Sequence, residues 1–484
     1  MMLLLLACSG SPDGASTLPP SPGPTPLSGQ PGQMGQPGPP PGGHGPPGGT
    51  PDKGFHAEPT FQLTEAPGTP QRSMLIISLD TVRADSLALY GGPADLPAVQ
   101  ALAEGGAVFD QAVTHFPQTC SSHWSMMTGV LPELHGNTPA NRGSLYSGPT
   151  VAEIAQRHGY ATAGFVGGQT LLDGACGLAR GFEVYDDDFR FDQADLRRPG
   201  PEVVAAASAW VEQQEGPWFA FVHLFDAHFP YTPEHPERFD PGYTGTLTGS
   251  DSDLGRYRAG EPLGERDLRH VRALYDAEVQ ELDAMIAPLL EQIGEDVLVV
   301  VTSDHGESFE HDYLFNHKDS LYEGVLRVPL VLSGPGVPAG RRGAQFGLMD
   351  LAPTLLLLAG LPRDDRMQGE AWAERGTVYS ITGPWEPDTP DLLSARSVGA
   401  KRIESVGGAS CFDLTLDPAE GSPQPCPKDG SAYRQALEAL SEYQVDPPEH
   451  STVIGLEECL RLQALGYTTC NGQGGRPGAP PLRR

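Results

Sequence analysis

The sequence predicts an α/β protein: a doubly wound, mostly parallel sheet with helices on both faces, followed by a smaller C-terminal subdomain. Three observations carry that expectation. Short apolar runs alternate with longer stretches of helical periodicity between Ser73 and Leu332. Several runs end on Asp or on Asp-His, at the strand ends where such sheets present their ligands. After about Thr377 the runs shorten and two close cysteine pairs follow.

Taken in order, the chain opens on MMLLLLA and Cys8. Leu5-Leu6-Ala7-Cys8 resembles a bacterial lipobox, although the apolar run is short and has no charged residue before it. Residues 1–8 are therefore expected to be a signal segment with a lipidated Cys8. The protein would be exported to the bacterial cell envelope and held there by a lipid anchor. The 484 residues include 60 Gly and 49 Pro, well above ordinary usage. Much of that excess lies between Ser11 and Thr60, a stretch too poor in apolar side chains to offset its ordering entropy. Residues 9–70 read as a disordered tether. The rest divides into a catalytic domain at 71–376 and a C-terminal subdomain with its tail at 377–484.

Within the catalytic domain, Ser73–Leu79 ending on Asp80 has the continuous apolar pattern of a buried parallel strand. Ala161–Val166, Trp218–Leu224, Val297–Thr302 and Val328–Leu332 repeat it. Helices are expected at Leu96–Gly105, Thr150–His158, Val203–Gln214 and Arg266–Ile293. The last places Val271, Leu274, Val279, Leu282, Ile286 and Leu289 on one apolar stripe. A final helix is expected near Leu456–Leu465.

Composition narrows the function. There are 62 acidic and 31 basic side chains, a formal charge of −31. Such a chain lacks the basic footprint that nucleic acid or an anionic lipid surface requires. An anionic substrate would need a local positive source to approach it. With Cys8 set aside, six cysteines remain, and an even number in an exported protein permits disulfides. Cys411 with Cys426 and Cys459 with Cys470 are local possibilities. No run of 18 apolar residues offers a membrane span.

Four segments carry candidate chemistry. Asp80 closes the first strand, where a carboxylate serves a metal or caps the next helix. Pro117–Gly129 reads as a loop opening a short helix. Thr119 then stands among free N–H groups, with His123 four residues on along the same face. His223-Leu224-Phe225-Asp226-Ala227-His228 leads a strand into a turn that would aim Asp226 and His228 to one side. Thr302-Ser303-Asp304-His305-Gly306 ends another strand with two adjacent ligand types, followed by Asn316-His317-Lys318. Arg83 and Asp85 read as a structural ion pair, and Lys318 as a solvated side chain.

In order and spacing these segments resemble the sulfatase family of the alkaline-phosphatase superfamily. LDTVRAD, TCSSHWSMMTG, HLFDAHFPY and TSDHGESFEHDYLFNHKDSLYEGVLRVPL carry the resemblance, from about Ser73 to Leu361. Cys411–Glu420 and Arg461–Tyr467 resemble its C-terminal signatures. The resemblance implies one divalent ion, Ca²⁺, Mn²⁺, Mg²⁺ or Zn²⁺, on Asp80, Thr119, Asp304 and His305. Thr81 stands where the family has a second acid, which favours Mn²⁺ or Zn²⁺. Asp226 and His223 are candidates for a second ion. Thr119, His123, His228 and His317 are the implied catalytic residues: nucleophile, its support, and two groups that bind the anion and protonate the leaving oxygen.

The nucleophile departs from the family pattern. Sulfatases carry a formylglycine made from Cys in Cys-x-Pro-Ser-Arg. Anchored on Thr128-Gly129, that position falls on Thr119, and Cys120 is one residue late. Ser121 replaces the Pro and His123 the Arg. A formylglycine hydrate expels sulfate by collapsing to the aldehyde. A Thr ester has no second hydroxyl, so water must attack the transferred group, which is easier at phosphorus. The expected activity is metal-dependent hydrolysis of small anionic sulfate, phosphate or phosphonate esters. The rivals are a phospho-group transferase of envelope lipids or glycans and a catalytically silent binding lipoprotein.

Overall fold

The computed structural model describes residues 72–138, 146–188, 197–383, 392–405 and 407–426. The signal segment with Cys8, the tether, Cys459, Cys470, the Arg461–Tyr467 signature and the helix near Leu456–Leu465 lie outside them.

The main sheet has nine strands: β1 Met74–Leu79, β2 Ala107–Val113, β3 Ala161–Val166, β4 Val184–Asp186, β5 Trp218–Leu224, β6 Leu298–Thr302, β7 Arg327–Val328, β8 Leu330–Ser333 and β9 Gly340–Gly347. Their order is β4-β3-β5-β1-β6-β8-β2-β7, with β9 also on β2. The strands β4, β3, β5, β1 and β6 run parallel. β8 runs antiparallel to both β6 and β2. The helices are α1 Pro97–Gly105, α2 Thr119–Thr128, α3 Pro132–His135, α4 Val151–Arg157, α5 Asp173–Cys176, α6 Gly200–Val211, α7 Asp251–Arg258, α8 Glu265–Gln292, α9 Glu323–Leu326 and α10 Leu351–Leu358.

β1 shows why the sheet is doubly wound. All six of its side chains are buried. Met74 and Ile76 enter one core with residues of α2, α4 and α10, whereas Leu75, Ile77 and Leu79 enter another with residues of α1, α6 and α8. A strand's side chains alternate between faces, so two cores on one strand mean two covered faces. The stripe expected on α8 packs into the second core in full.

Differences from the sequence expectations are local. Val328–Leu332 is two strands interrupted at Pro329, whose ring nitrogen cannot donate to a ladder. β2 and β9 escaped the apolar-run criterion because Asp110 and Gln111 interrupt one and the other begins GRRG. α4 opens on a capping box between Thr150 and Glu153.

From Val378 a second, antiparallel sheet follows: β10 Val378–Thr382, β11 Leu392–Arg396, β12 Ala400–Ser405 and β13 Gly408–Asp413. Cys411 and Cys426 are disulfide-bonded beside its last strand.

Register places the site. In the parallel ladder Ser78 of β1 lies opposite His223 of β5 on one side and Thr302 of β6 on the other. Asp80 and Asp304 each stand two residues beyond those partners. The two acids therefore leave the sheet side by side at its carboxyl edge.

Candidate active site

Asp80 and Asp304 are fully buried, as are Thr119, His123, His305 and His317. Thr81 turns the chain immediately after Asp80 with φ 58, a conformation rare for a β-branched residue. Four contacts hold it. Its N–H donates to Asp304 Oδ1 at 3.3 Å, its hydroxyl contacts the Asp80 and Ala227 carbonyls, and its own carbonyl accepts from the Tyr275 hydroxyl at 2.8 Å. The strained turn ties the two acidic strand ends together.

Thr119 is the first residue of α2, and no side chain caps that helix end. The first-turn N–H groups and the positive end of the helix dipole surround its hydroxyl. Ser122 fastens α2 to β6 by donating to the Asp304 carbonyl at 2.8 Å. His123 lies beneath Thr119. Its Nδ1–H donates to the Thr119 carbonyl at 2.7 Å, and its Nε2 accepts from the Ser78 hydroxyl at 2.9 Å. Burial holds this ring down at about 4, so it is neutral. Both nitrogens are engaged, which suits a support.

Asp80 Oδ1, Thr119 Oγ1, Asp304 Oδ2 and His305 Nε2 are all buried with no hydrogen-bond partner outside this group; His305 Nε2 lies 3.2 Å from Asp304 Oδ2, and the Thr119 hydroxyl is felt at Asp80. One ligand atom each from Asp80, Asp304 and His305 lie within 4.8 Å of one another. Orphaned buried acceptors are costly, and two unpaired carboxylates especially so. Burial and Asp304 push the Asp80 carboxyl well up. Burial alone would raise Asp304 too, but the His305, His123 and His223 rings outweigh it and bring it down. Burial disfavours charge on His305, yet Asp304 and Asp80 outweigh that and lift it. A divalent cation would relieve Asp80, Asp304 and His305 at once. His305 Nδ1–H donates to the Gly306 carbonyl at 2.9 Å, which leaves Nε2 as the lone-pair nitrogen. Carboxylate and hydroxyl oxygens with one imidazole suit Mg²⁺, Mn²⁺, Ca²⁺ or Zn²⁺.

The residues considered for a second ion are placed differently. His223 Nε2 lies 3.0 Å from Asp80 Oδ2 and orients it. Asp226 Oδ1 accepts the Gly200 N–H at 2.9 Å and anchors the start of α6. The chain leaves strand geometry after Leu224 and forms a turn, so the strand alternation expected to aim Asp226 and His228 to one side does not apply. Among the described residues only Asp80, Asp304 and His305 gather as a three-ligand group.

Beside the cation donors stand His228 and His317, ring centroids 5.5 Å apart, with the His317 ring 4.2 Å from that of His305. His228 stacks on Phe225, and its Nδ1–H donates to the Phe229 carbonyl at 2.9 Å. Arg197 gathers the carbonyls of Asp226, His228 and Pro230 and so fixes that loop. His317 Nδ1 lies 3.3 Å from Glu307 Oε1, while its Nε2 is buried and unpartnered. Burial presses both rings well below the ordinary histidine value, and each is further lowered by a neighbouring ring.

Three residues were not read as functional from sequence. Glu307 is fully buried and accepts from Tyr231, Ser308 and His317. Lys318 is only 7% exposed, contrary to a solvated side chain, and its charge is felt at His317. Its adjacency to His317 was the available signal. Arg258, at the end of α7, is likewise felt at His228 and His317. Arg83 binds Asp85 and Glu310, as a structural ion pair should.

Cys120 is disulfide-bonded to Cys176, 56 residues away. Its sulfur is engaged in that bond rather than free for other chemistry.

Residues 72–361 match the family model described as Sulfatase. Arylsulfatase K of Xenopus laevis is 24% identical over 372 residues, covering 63% of this chain and 66% of that protein. Choline-sulfatase of Rhizobium meliloti is 26% identical over 433 residues, covering 73% and 82%. The crystal structure of a phosphonate monoester hydrolase of Agrobacterium radiobacter superposes with a TM-score of 0.64 at 19% identity, covering 77% of this chain and 95% of that one. The structure of BT4656 with its substrate D-glucosamine-2-N,6-O-disulfate gives 0.63 at 17% identity, covering 77% and 97%. Both are alike in fold.

Proposed function

The chain belongs to the sulfatase family of ester hydrolases, and from that premise we propose a metal-dependent hydrolase of small sulfate, phosphate or phosphonate esters that uses Thr119 as its nucleophile. The observation that carries this reading is the gathering of Asp80, Asp304 and His305 at one sheet edge, with the buried Thr119 hydroxyl felt at Asp80. Asp80, Thr119, Asp304 and His305 would hold the cation. Such an ion supplies positive charge that lowers the hydroxyl pKa and steadies a non-bridging oxygen of the ester.

The side chains do the rest. Thr119 Oγ attacks sulfur or phosphorus in line, positioned by α2 and by His123 beneath it. Lys318 and the free N–H groups of α2 draw the anion into a protein of net charge −31. His317 and His228 face the departing oxygen. Both are held neutral in the free site, and a bound anion favours their protonated form. Glu307 keeps His317 in the tautomer that presents Nε2 to the ester. The ring that gives its proton to the leaving oxygen then takes one from the water that cleaves the Thr119 ester.

Two disulfides support folding in an oxidising compartment, in keeping with an exported protein anchored through Cys8. Among the described residues no helix is long and apolar enough to cross a membrane.

The test is a panel of 4-nitrophenyl sulfate, phosphate, phosphodiester and phosphonate esters with added Mg²⁺, Mn²⁺, Ca²⁺ or Zn²⁺. Wild type should turn over at least one ester only with metal present, and Thr119→Ala none. Full activity in Thr119→Ala would remove the nucleophile. Activity lost in Cys120→Ala but kept in Thr119→Ala would restore formylglycine chemistry.

A further inference from the structure

Arg258 ends α7, in the segment between the His228 loop and α8. Its guanidinium carbon lies 4.6 Å from the Phe229 ring centroid, and Phe229 follows His228 directly. The side chain is half-buried. It makes no ion pair or hydrogen bond with any described residue, whereas neighbouring Arg256 and Arg266 pair with Glu261 and Asp240. Acidic side chains outnumber basic ones two to one in this chain, so an arginine with no carboxylate partner among the described residues stands out. The aromatic face and the helix C-terminus steady the cation. Neither uses the forked N–H donors, which match a carboxylate or sulfate.

The location fixes which part of a substrate could use them. Arg258 stands beside Phe229, the residue after His228, and its charge reaches both His228 and His317. An ester bound for in-line attack projects its leaving group past the two histidines. The geometry points to Arg258 as a specificity-determining residue that recognises a second anionic group, a carboxylate or sulfate, on the leaving-group portion of the substrate. The inference rests on the hydrolase reading above but reads a different atom of it. The charge of Arg258 is felt at His228, His317 and Tyr231, which agrees with that position. The preferred substrate is then an acidic molecule bearing one cleavable ester and one retained anion.

The experiment compares 4-(carboxymethyl)phenyl esters with their methyl esters. The two leaving groups are closely matched in reactivity and differ by one charge. In metal-loaded wild type the acid should have the higher kcat/KM, chiefly through KM. Arg258→Gln should reduce the acid-to-methyl-ester ratio about tenfold or more, Arg258→Lys should keep part of it, and added salt should shrink it in wild type. Calorimetric binding of both compounds to Thr119→Ala, with and without Arg258→Gln, reads the same preference without turnover. A wild-type ratio near one, or one unchanged in Arg258→Gln, overturns the role of Arg258 while leaving hydrolysis intact. A binding preference lost with Arg258, in a protein that cleaves no ester, supports the anion site and overturns the hydrolase reading.

Discussion

Glu307 shows how one buried carboxylate organises the site. It accepts from the Tyr231 hydroxyl at 3.0 Å and lies 3.3 Å from His317 Nδ1. The tyrosine fixes the carboxylate and the carboxylate fixes the imidazole. Glu307→Gln keeps the shape and removes the charge that favours a protonated His317. Its kcat should fall roughly ten- to a hundredfold with little change in KM, and the basic limb of its pH profile should move to lower pH. Steady-state kinetics across pH checks this; an unchanged profile would make Glu307 a packing residue only. Asp80, Asp304 and His305 were legible in sequence because each follows an uninterrupted apolar strand. Glu307 and Lys318 were not, since their roles come from burial against Tyr231, His317 and the second sheet. Lys318 accepts Thr382 of β10 on its carbonyl, a contact far away in sequence.

The element that matters most is α2. It is held from three sides. Ser122 binds the end of β6, His123 binds Ser78 of β1, and the Cys120–Cys176 bridge ties its first turn to α5. Trp124 adds a hydrogen bond from Nε1 to the Cys176 carbonyl at 2.9 Å. Closing a loop of 56 residues should stabilise the fold by about 4 kcal/mol. A Cys120→Ala/Cys176→Ala variant should therefore unfold at lower denaturant yet retain activity at low temperature, because the sulfur takes no part in the chemistry. Equilibrium denaturation alongside an activity assay separates the two effects. That pairing was hidden in the sequence, where only local pairs such as Cys411 with Cys426 suggest themselves. Four helices, by contrast, could be read to within a few residues, α1, α4, α6 and α8, the last from its apolar stripe, whereas α7 and α10 were not.

For the molecule as a whole, stability should depend on both metal and pH. Two buried carboxylates face each other at Asp80 and Asp304, so a bound cation stabilises the folded state by mass action. Removing it with a chelator should lower the thermal midpoint, and Asp304→Asn should abolish that metal dependence. Calorimetry with and without Mn²⁺ or Zn²⁺ checks both. The pH dependence is carried in part by His135, which packs on α2 through Ser125. Its Nδ1 accepts the Asn137 N–H at 3.1 Å, and burial holds it down at about 3 from an ordinary 6.5. Between those values the unfolded chain binds more protons than the folded one. Stability from this residue is complete above about 6.5 and is lost as the pH falls toward 3. Denaturation midpoints should drop between pH ~7 and ~5, and less steeply in His135→Gln.

The central claim is that Thr119, not a modified Cys120, carries the transferred group. Acid-quench the metal-loaded enzyme during turnover of its best ester and map the peptides by mass spectrometry. The mass of a sulfo or phospho group should appear on the Thr119 hydroxyl, with Cys120 recovered in its disulfide with Cys176. A formylglycine at Cys120, or the group on any other side chain, would contradict the account.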